Sequence, residues 1–149
     1  AIVLAFAMAD DPKVNTGTRY DALRMVALGD RAKALETLAR YLKPGTDDEL
    51  VMGAVSGLGD ISANDDAQVA ALLLEALPRL NEENLGMALG AMVRTPARSM
   101  ALLDAIAAGK VDRKKLAETA RKALLTSADK AVRAKAESLF KKCLLKFMH

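Results

Sequence analysis

Three glycines, Gly53, Gly57 and Gly59, fall within the ten residues VMGAVSGLGD at 51–60. Glycines this dense serve one of two ends: a loop whose bare backbone cradles a phosphate, or a helix whose bare face lets a neighbour come close. The flanking residues argue against the loop. A phosphate loop follows a strand and ends in Gly-Lys-Ser or Gly-Lys-Thr, whereas here TDDE at 46–49 precedes the glycines and Asp60 closes them. A carboxylate in that place repels phosphate. Gly53 and Gly57 stand four apart, on one face of a helix. Each costs up to about 1 kcal/mol of helix propensity relative to alanine, so close packing must offset it.

Other residue types offer other chemistry. Cys143 and His149 are the only cysteine and the only histidine, six positions apart. Cys143 falls on an apolar helical stripe, so a nucleophilic pair ranks below a core cysteine beside a terminal histidine. A lone cysteine also excludes an intramolecular disulfide, a cysteine-based zinc site and covalent c-type haem attachment in this chain. Carboxylates cluster at Asp10–Asp11, Asp47–Asp48–Glu49, Asp65–Asp66 and Glu82–Glu83. The last three groups sit where helices start, and there negative charge meets the positive end of the helix dipole. Metal binding or acid–base work needs such groups to converge. No catalytic residue, metal or cofactor is therefore assigned, and a hydrolytic enzyme using carboxylates or Cys143 is the last-ranked alternative.

Cations form two groups. Arg94 and Arg98 flank the helix start TPA at 95–97, where an anion can sit on backbone N–H groups, or where the arginines are simply solvated. The second group is larger. Residues 110–149 hold 12 Lys/Arg against 4 Asp/Glu, while residues 1–109 hold 10 against 15, within an overall net charge of +3. Lys110, Arg113, Lys114, Lys115, Arg121, Lys122 and Arg133 are the candidate anion-binding residues there. They fit either a solvated helix surface or a patch for nucleic acid, lipid or an acidic protein. With aromatics at only 3% and no Trp, stacking of single-stranded bases has little to work with, so any nucleic-acid contact is expected to be nonspecific and salt-sensitive.

The elements that position these residues are helices. Apolar residues make up 52% of the 149, dominated by the helix formers Ala and Leu, and no stretch alternates as a strand does. Start and stop signals recur. Thr16–Thr18 precede one helix that stops at Gly29, and Asp30 opens the next. Thr46 and Glu49 form a capping box, and Asn81 caps EENLGMALGAMV. Thr95–Pro96 opens ARSMALLDAIAAG, Asp112 caps RKKLAETARKALL, and Ser127 opens the last helix. On that helix Val132, Ala136, Phe140, Cys143 and Phe147 form a stripe. Val69, Leu72, Leu73, Ala76 and Leu77 make one apolar face of an earlier helix. The opening AIVLAFAMA is too short for the ~20 residues of a membrane span and reads as a buried helix.

The helices repeat. Laying 51–60 over 85–94, an offset of 34, matches Ala54 with Ala88, Val55 with Leu89, Gly57 with Ala91 and Leu58 with Met92; LRMVALGD at 23–30 aligns with 53–60 at an offset of 30. The unit is a helical hairpin of about 30–34 residues, which buries its faces only by stacking on the next. The expected fold is all-α: a right-handed α-solenoid of about four stacked hairpins, about nine helices in one domain spanning 1–149.

Two-helix repeats of this length, rich in Ala and Leu and lacking Trp, resemble HEAT repeats. The phrases LAFAMADDPKVNTGTRYDALRM, MGAVSGLGD, RTPARSMALLDAIAAGKV and AVRAKAESLF resemble, over roughly residues 3–140, the HEAT-repeat segment of large bacterial multidomain proteins classed as membrane-bound dehydrogenases. In those the repeats lie between a propeller-like dehydrogenase region and a c-type haem domain. The resemblance implies a fragment of a larger chain and a periplasmic or cell-envelope setting. It transfers no redox activity and no site residue, because this chain has neither the propeller nor a CxxCH, and KKCLLKFMH at 141–149 departs from the family's continuation.

The function expected from these readings is a non-catalytic scaffold for protein–protein or interdomain contact. The alternative is anion or nucleic-acid binding by the basic helices of 110–149. Uncapped ends of the stack would favour a homodimer.

Overall fold

The computed structural model describes residues 2–148, with side chains described for 2–140. Among the described residues the chain is all-α, with nine α-helices and no strand. The helices are α1 (Ile2–Ala9), α2 (Thr16–Val26), α3 (Arg31–Arg40), α4 (Asp48–Gly59), α5 (Asp66–Ala76), α6 (Glu82–Met92), α7 (Pro96–Ala107), α8 (Glu118–Leu125) and α9 (Lys130–Met148). Short 3₁₀ turns at Ala63–Asp65, Leu77–Arg79 and Arg113–Lys115 join some of them.

Packing skips one helix at a time. α2 lies on α4 and α4 on α6; on the other side α5 lies on α7 and α7 on α9, while α1 covers α2. One continuous core runs from Ala5 to Phe140, with Leu23, Leu38, Leu58, Leu73, Leu89, Met92, Leu102, Leu103 and Leu124 fully buried. Burying each such side chain stabilises the fold by roughly 1.5–3 kcal/mol relative to exposure.

The glycines of α4 set the closest approach. A Cβ on Gly57 would lie 2.9 Å from the Leu23 carbonyl oxygen and 3.0 Å from Leu38 Cδ2, and one on Gly53 would lie 3.2 Å from Leu23 Cβ and from the Tyr20 carbonyl oxygen. α4 therefore rests directly on the backbone of α2, as close packing requires and a phosphate loop does not. The offset of 34 also has a structural counterpart. Ala54, Val55, Gly57 and Leu58 are buried, and so are Ala88, Leu89, Ala91 and Met92 at the matching positions of α6.

Several helix starts differ from those expected. Asn15, not the threonines after it, caps α2 by accepting from Thr18 N at 2.8 Å. There is no Thr46–Glu49 capping box: Thr46 Oγ1 donates to the Lys43 carbonyl, and Asp47 caps α4 by accepting from Glu49 N at 2.9 Å. A carboxylate one residue later takes the cap and frees the threonine to brace the preceding turn. Asp112 caps only the 3₁₀ turn 113–115; Leu116 is extended, and α8 waits until Glu118. Ser127 accepts from Asp129 N, and Asp129 accepts from Val132 N, so the last helix opens two residues after the expected place. Asp30, Asn81 and Thr95 cap as expected. α1 is buried on one face alone: Ala5, Phe6 and Ala9 are inside, but Val3 is 82% and Leu4 61% exposed. No helix among the described residues is long and apolar enough to cross a membrane.

Candidate functional site

Five ion pairs join positions 30 to 34 apart: Arg40–Asp10, Arg31–Asp65, Arg98–Asp66, Arg94–Asp60 and Lys135–Asp104. Each span equals about one hairpin. Each pair therefore bridges segments about one hairpin apart in the chain.

Arg98 is the most committed of them. It is 1% exposed. Its Nε donates to Asp66 Oδ1 at 2.6 Å, Nη1 to the Gly59 carbonyl at 3.0 Å and Nη2 to the Ile61 carbonyl at 2.8 Å. Those carbonyls close the C-terminal end of α4, where a cation complements the dipole. Arg94 donates to the same Gly59 carbonyl at 2.9 Å and to Asp60 at 2.7 Å. The two arginines thus tie α4 to α6 and α7, and Arg98 is closed to an external anion. The aligned column Asp60/Arg94 already held this signal as opposite charges 34 apart. The Asp66–Arg98 pair, offset by 32, falls outside that column.

The carboxylate groups do not converge. Asp47 caps α4, Asp65 and Asp66 meet Arg31 and Arg98, and Glu82 and Glu83 lie in the first turn of α6. No three His, Cys, Asp or Glu side chains among the described residues are grouped to hold a metal ion. Asp10 belongs to a structural knot. The Tyr41 hydroxyl lies 2.6 Å from Asp10 Oδ1 and 2.8 Å from the Ala9 carbonyl, and Arg40 grips both Asp10 oxygens. Burial alone would raise the Asp10 pKa, but the Tyr41 hydrogen bond and Arg40 outweigh it and hold the carboxyl below its ordinary value. Burial, then the Asp10 contact, pushes the Tyr41 hydroxyl up. Cys143, Phe147 and His149 lie outside the described side chains.

Two surface depressions lie against the repeated helices and the candidate cations. The first is a groove of about 390 Å³ lined by Tyr20 and Arg24 of α2, Ser56 and Gly59 of α4 with Asp60 just after it, and Met87 and Gly90 of α6 with Arg94 just after it. Its floor is made of small residues and its rim is charged. The second is a cleft of about 240 Å³ where the 109–116 connector crosses α6. The structure brings only Lys110 and Lys115 of the candidate cations to this cleft, with Lys114 exposed beside them. Arg113 donates to the Leu139 carbonyl at 2.9 Å, Arg121 stacks 5.5 Å over Phe140, and Arg133 donates to the Ser127 carbonyl at 2.9 Å. These three arginines brace the last hairpin, and Lys122 stands exposed on α8. Sequence reading missed the split because it took 113–125 as one helix.

Compared with family models, with curated proteins and with solved structures, the chain finds no match.

Proposed function

We propose that this chain is a non-catalytic helical-repeat scaffold: a HEAT-like α-solenoid of about four stacked hairpins that offers its α2–α4–α6 face to a protein partner or to a neighbouring domain of a longer chain. The carrying observation is the ion-pair register. Charges 30 to 34 apart are spent on stacking, while the groove across α2, α4 and α6 stays open. Rigid stacking of equal units, with side chains from each unit lining one surface, is how a repeat array presents an extended binding face. The mechanism is display: Tyr20, Arg24, Ser56 and Met87 contribute contacts from three repeats at once.

A photoreactive side chain placed at Ser56 or Gly90 in the native host tests this. The reading expects discrete protein adducts from these positions and none from Glu75 on α5. Equal labelling from both faces, or no adduct from either, would contradict it.

A second reading is anion binding by the C-terminal helices. It is favoured by Lys110, Lys114, Lys115 and Lys122, which are exposed and have no acidic partner among the described residues. Retention on a polyanion matrix that falls steeply with salt is its expected signature, and no retention at low salt would remove it.

A further inference from the structure

Two seams in this stack occupy equivalent places 34 residues apart, and they differ. The earlier one runs along the start of α4, with Pro44 and Val51 in its lining; the later one runs along the start of α6, with Pro78 and Leu85 in the same positions. In the earlier seam Arg79 reaches across to the Leu42 carbonyl at 3.0 Å and Asn84 to the Asp48 carbonyl at 3.1 Å, and about 120 Å³ is left. In the later seam the matching residue, Arg113, turns away to the Leu139 carbonyl. The chain at Leu116 is extended and α8 starts only at Glu118. α6 makes no contact with α8 comparable to that of α4 with α6. The seam therefore opens to about 240 Å³.

The opened seam has an apolar floor and a cationic rim. Leu77, Leu85, Leu89, Val111 and Leu116 line it, with Lys110 and Lys115 at its edge. Neither lysine has an acidic partner among the described residues. The one acid in the lining, Asp112, is engaged in capping, accepting from Lys114 N at 2.9 Å. The volume lies below the roughly 300–1,000 Å³ of pockets that enclose a small-molecule ligand, and it suits a single large side chain. Anchors of that kind dominate peptide recognition when a charged rim complements the flanking residues.

We propose that this cleft anchors one large apolar side chain of an acidic peptide segment, with Lys110 and Lys115 meeting the flanking carboxylates. The proposal rests on the scaffold reading and names the chemistry of one partner segment. The test is fluorescence anisotropy on the whole chain at low ionic strength, with labelled Asp-Glu-Phe-Asp-Glu, its Gly-centred analogue and Lys-Lys-Phe-Lys-Lys, and with decanoate as competitor. Binding is expected for the acidic Phe peptide, roughly tenfold or more weaker for the Gly analogue, and absent for the basic one. The Lys110→Glu/Lys115→Glu double variant should lose about as much with unchanged helicity, whereas Lys13→Glu, exposed and lining neither groove, should lose nothing. Equal binding of the Phe and Gly peptides, no binding of either, or an unchanged double variant would overturn the proposal. Decanoate binding without peptide binding would also overturn it, in favour of a small amphiphile. Photoadducts at Ser56 without peptide binding would remove the cleft and leave the scaffold standing; peptide binding without such adducts would do the reverse for the face.

Discussion

α4 and α6 occupy equivalent positions in successive hairpins, and each carries two glycines four apart, yet the glycines do opposite things. Gly53 and Gly57 of α4 press on α2, whereas Gly86 and Gly90 of α6 have nothing within 4 Å of where a Cβ would stand. The pairs are 33 apart, not 34. One residue of slip turns a helix position by about 100°, which moves the second pair from the seam to the outer surface. α4 is enclosed between α2 and α6, while α6 has no comparable neighbour opposite α4 among the described residues. Enclosure, rather than glycine content, decides whether a small residue stabilises the stack or weakens the helix.

The sharpest way to break the enclosed side is through its buried ion pair. Arg98→Met should cost about 3–5 kcal/mol, because Asp66 is left buried without its partner. Adding Asp66→Leu should recover most of that loss. Denaturant unfolding of the single and double variants measures both, and a double variant as unstable as the single would show that the carbonyl contacts of Arg98 matter more than its pairing.

The glycines give the next effect, and its sign should reverse between the two helices. Gly57→Ala should destabilise by about 1–3 kcal/mol, since its Cβ would meet the Leu23 backbone and backbone does not yield readily. Gly86→Ala and Gly90→Ala should each stabilise by roughly 0.5–1 kcal/mol by helix propensity alone. Thermal melts of the three variants check the contrast; a common sign would erase it.

The smallest effect lies at the α1–α3 end. Asp10 is held below its ordinary pKa, so the folded state binds its proton less readily than the unfolded state does. Its contribution is present above the unfolded value of about 3.8 and is lost as pH falls through the folded value. Wild type should lose melting temperature more steeply than Asp10→Asn between about pH 5 and pH 2. Parallel curves for the two proteins would place no titration-linked stability at Asp10.

Much of this was legible in the chain because it is local. The helix formers, the caps Asp30, Asn81 and Thr95, and the i, i+4 spacing of Gly53 and Gly57 act within a turn or two. The 34-residue offset was legible because α4 and α6 bury matching positions. What escaped depends on distant partners. Arg98 looks like a solvated residue near Thr95–Pro96, and only Asp66, 32 positions back, makes its burial tolerable. The break after Lys115 hides in residues with good helix propensity, because the turn capped by Asp112 ends at an extended Leu116. The lysine-rimmed cleft is a consequence of that break, so it could not be seen before the break was.

The central claim is that successive hairpins stack in the 30–34-residue register, with α4 directly beside α6. A Cβ on Gly59 would lie 3.1 Å from Ala91 Cβ, so a shift of a few tenths of an ångström brings the pair to the roughly 3.5–4.5 Å Cβ separation of a disulfide. Gly59→Cys/Ala91→Cys, in a Cys143→Ser background, should oxidise almost completely under mild conditions, while Gly59→Cys/Gly86→Cys should stay reduced. The mass of the alkylated products reads the result directly. Equal oxidation of both pairs, or none of the first, would contradict the stack.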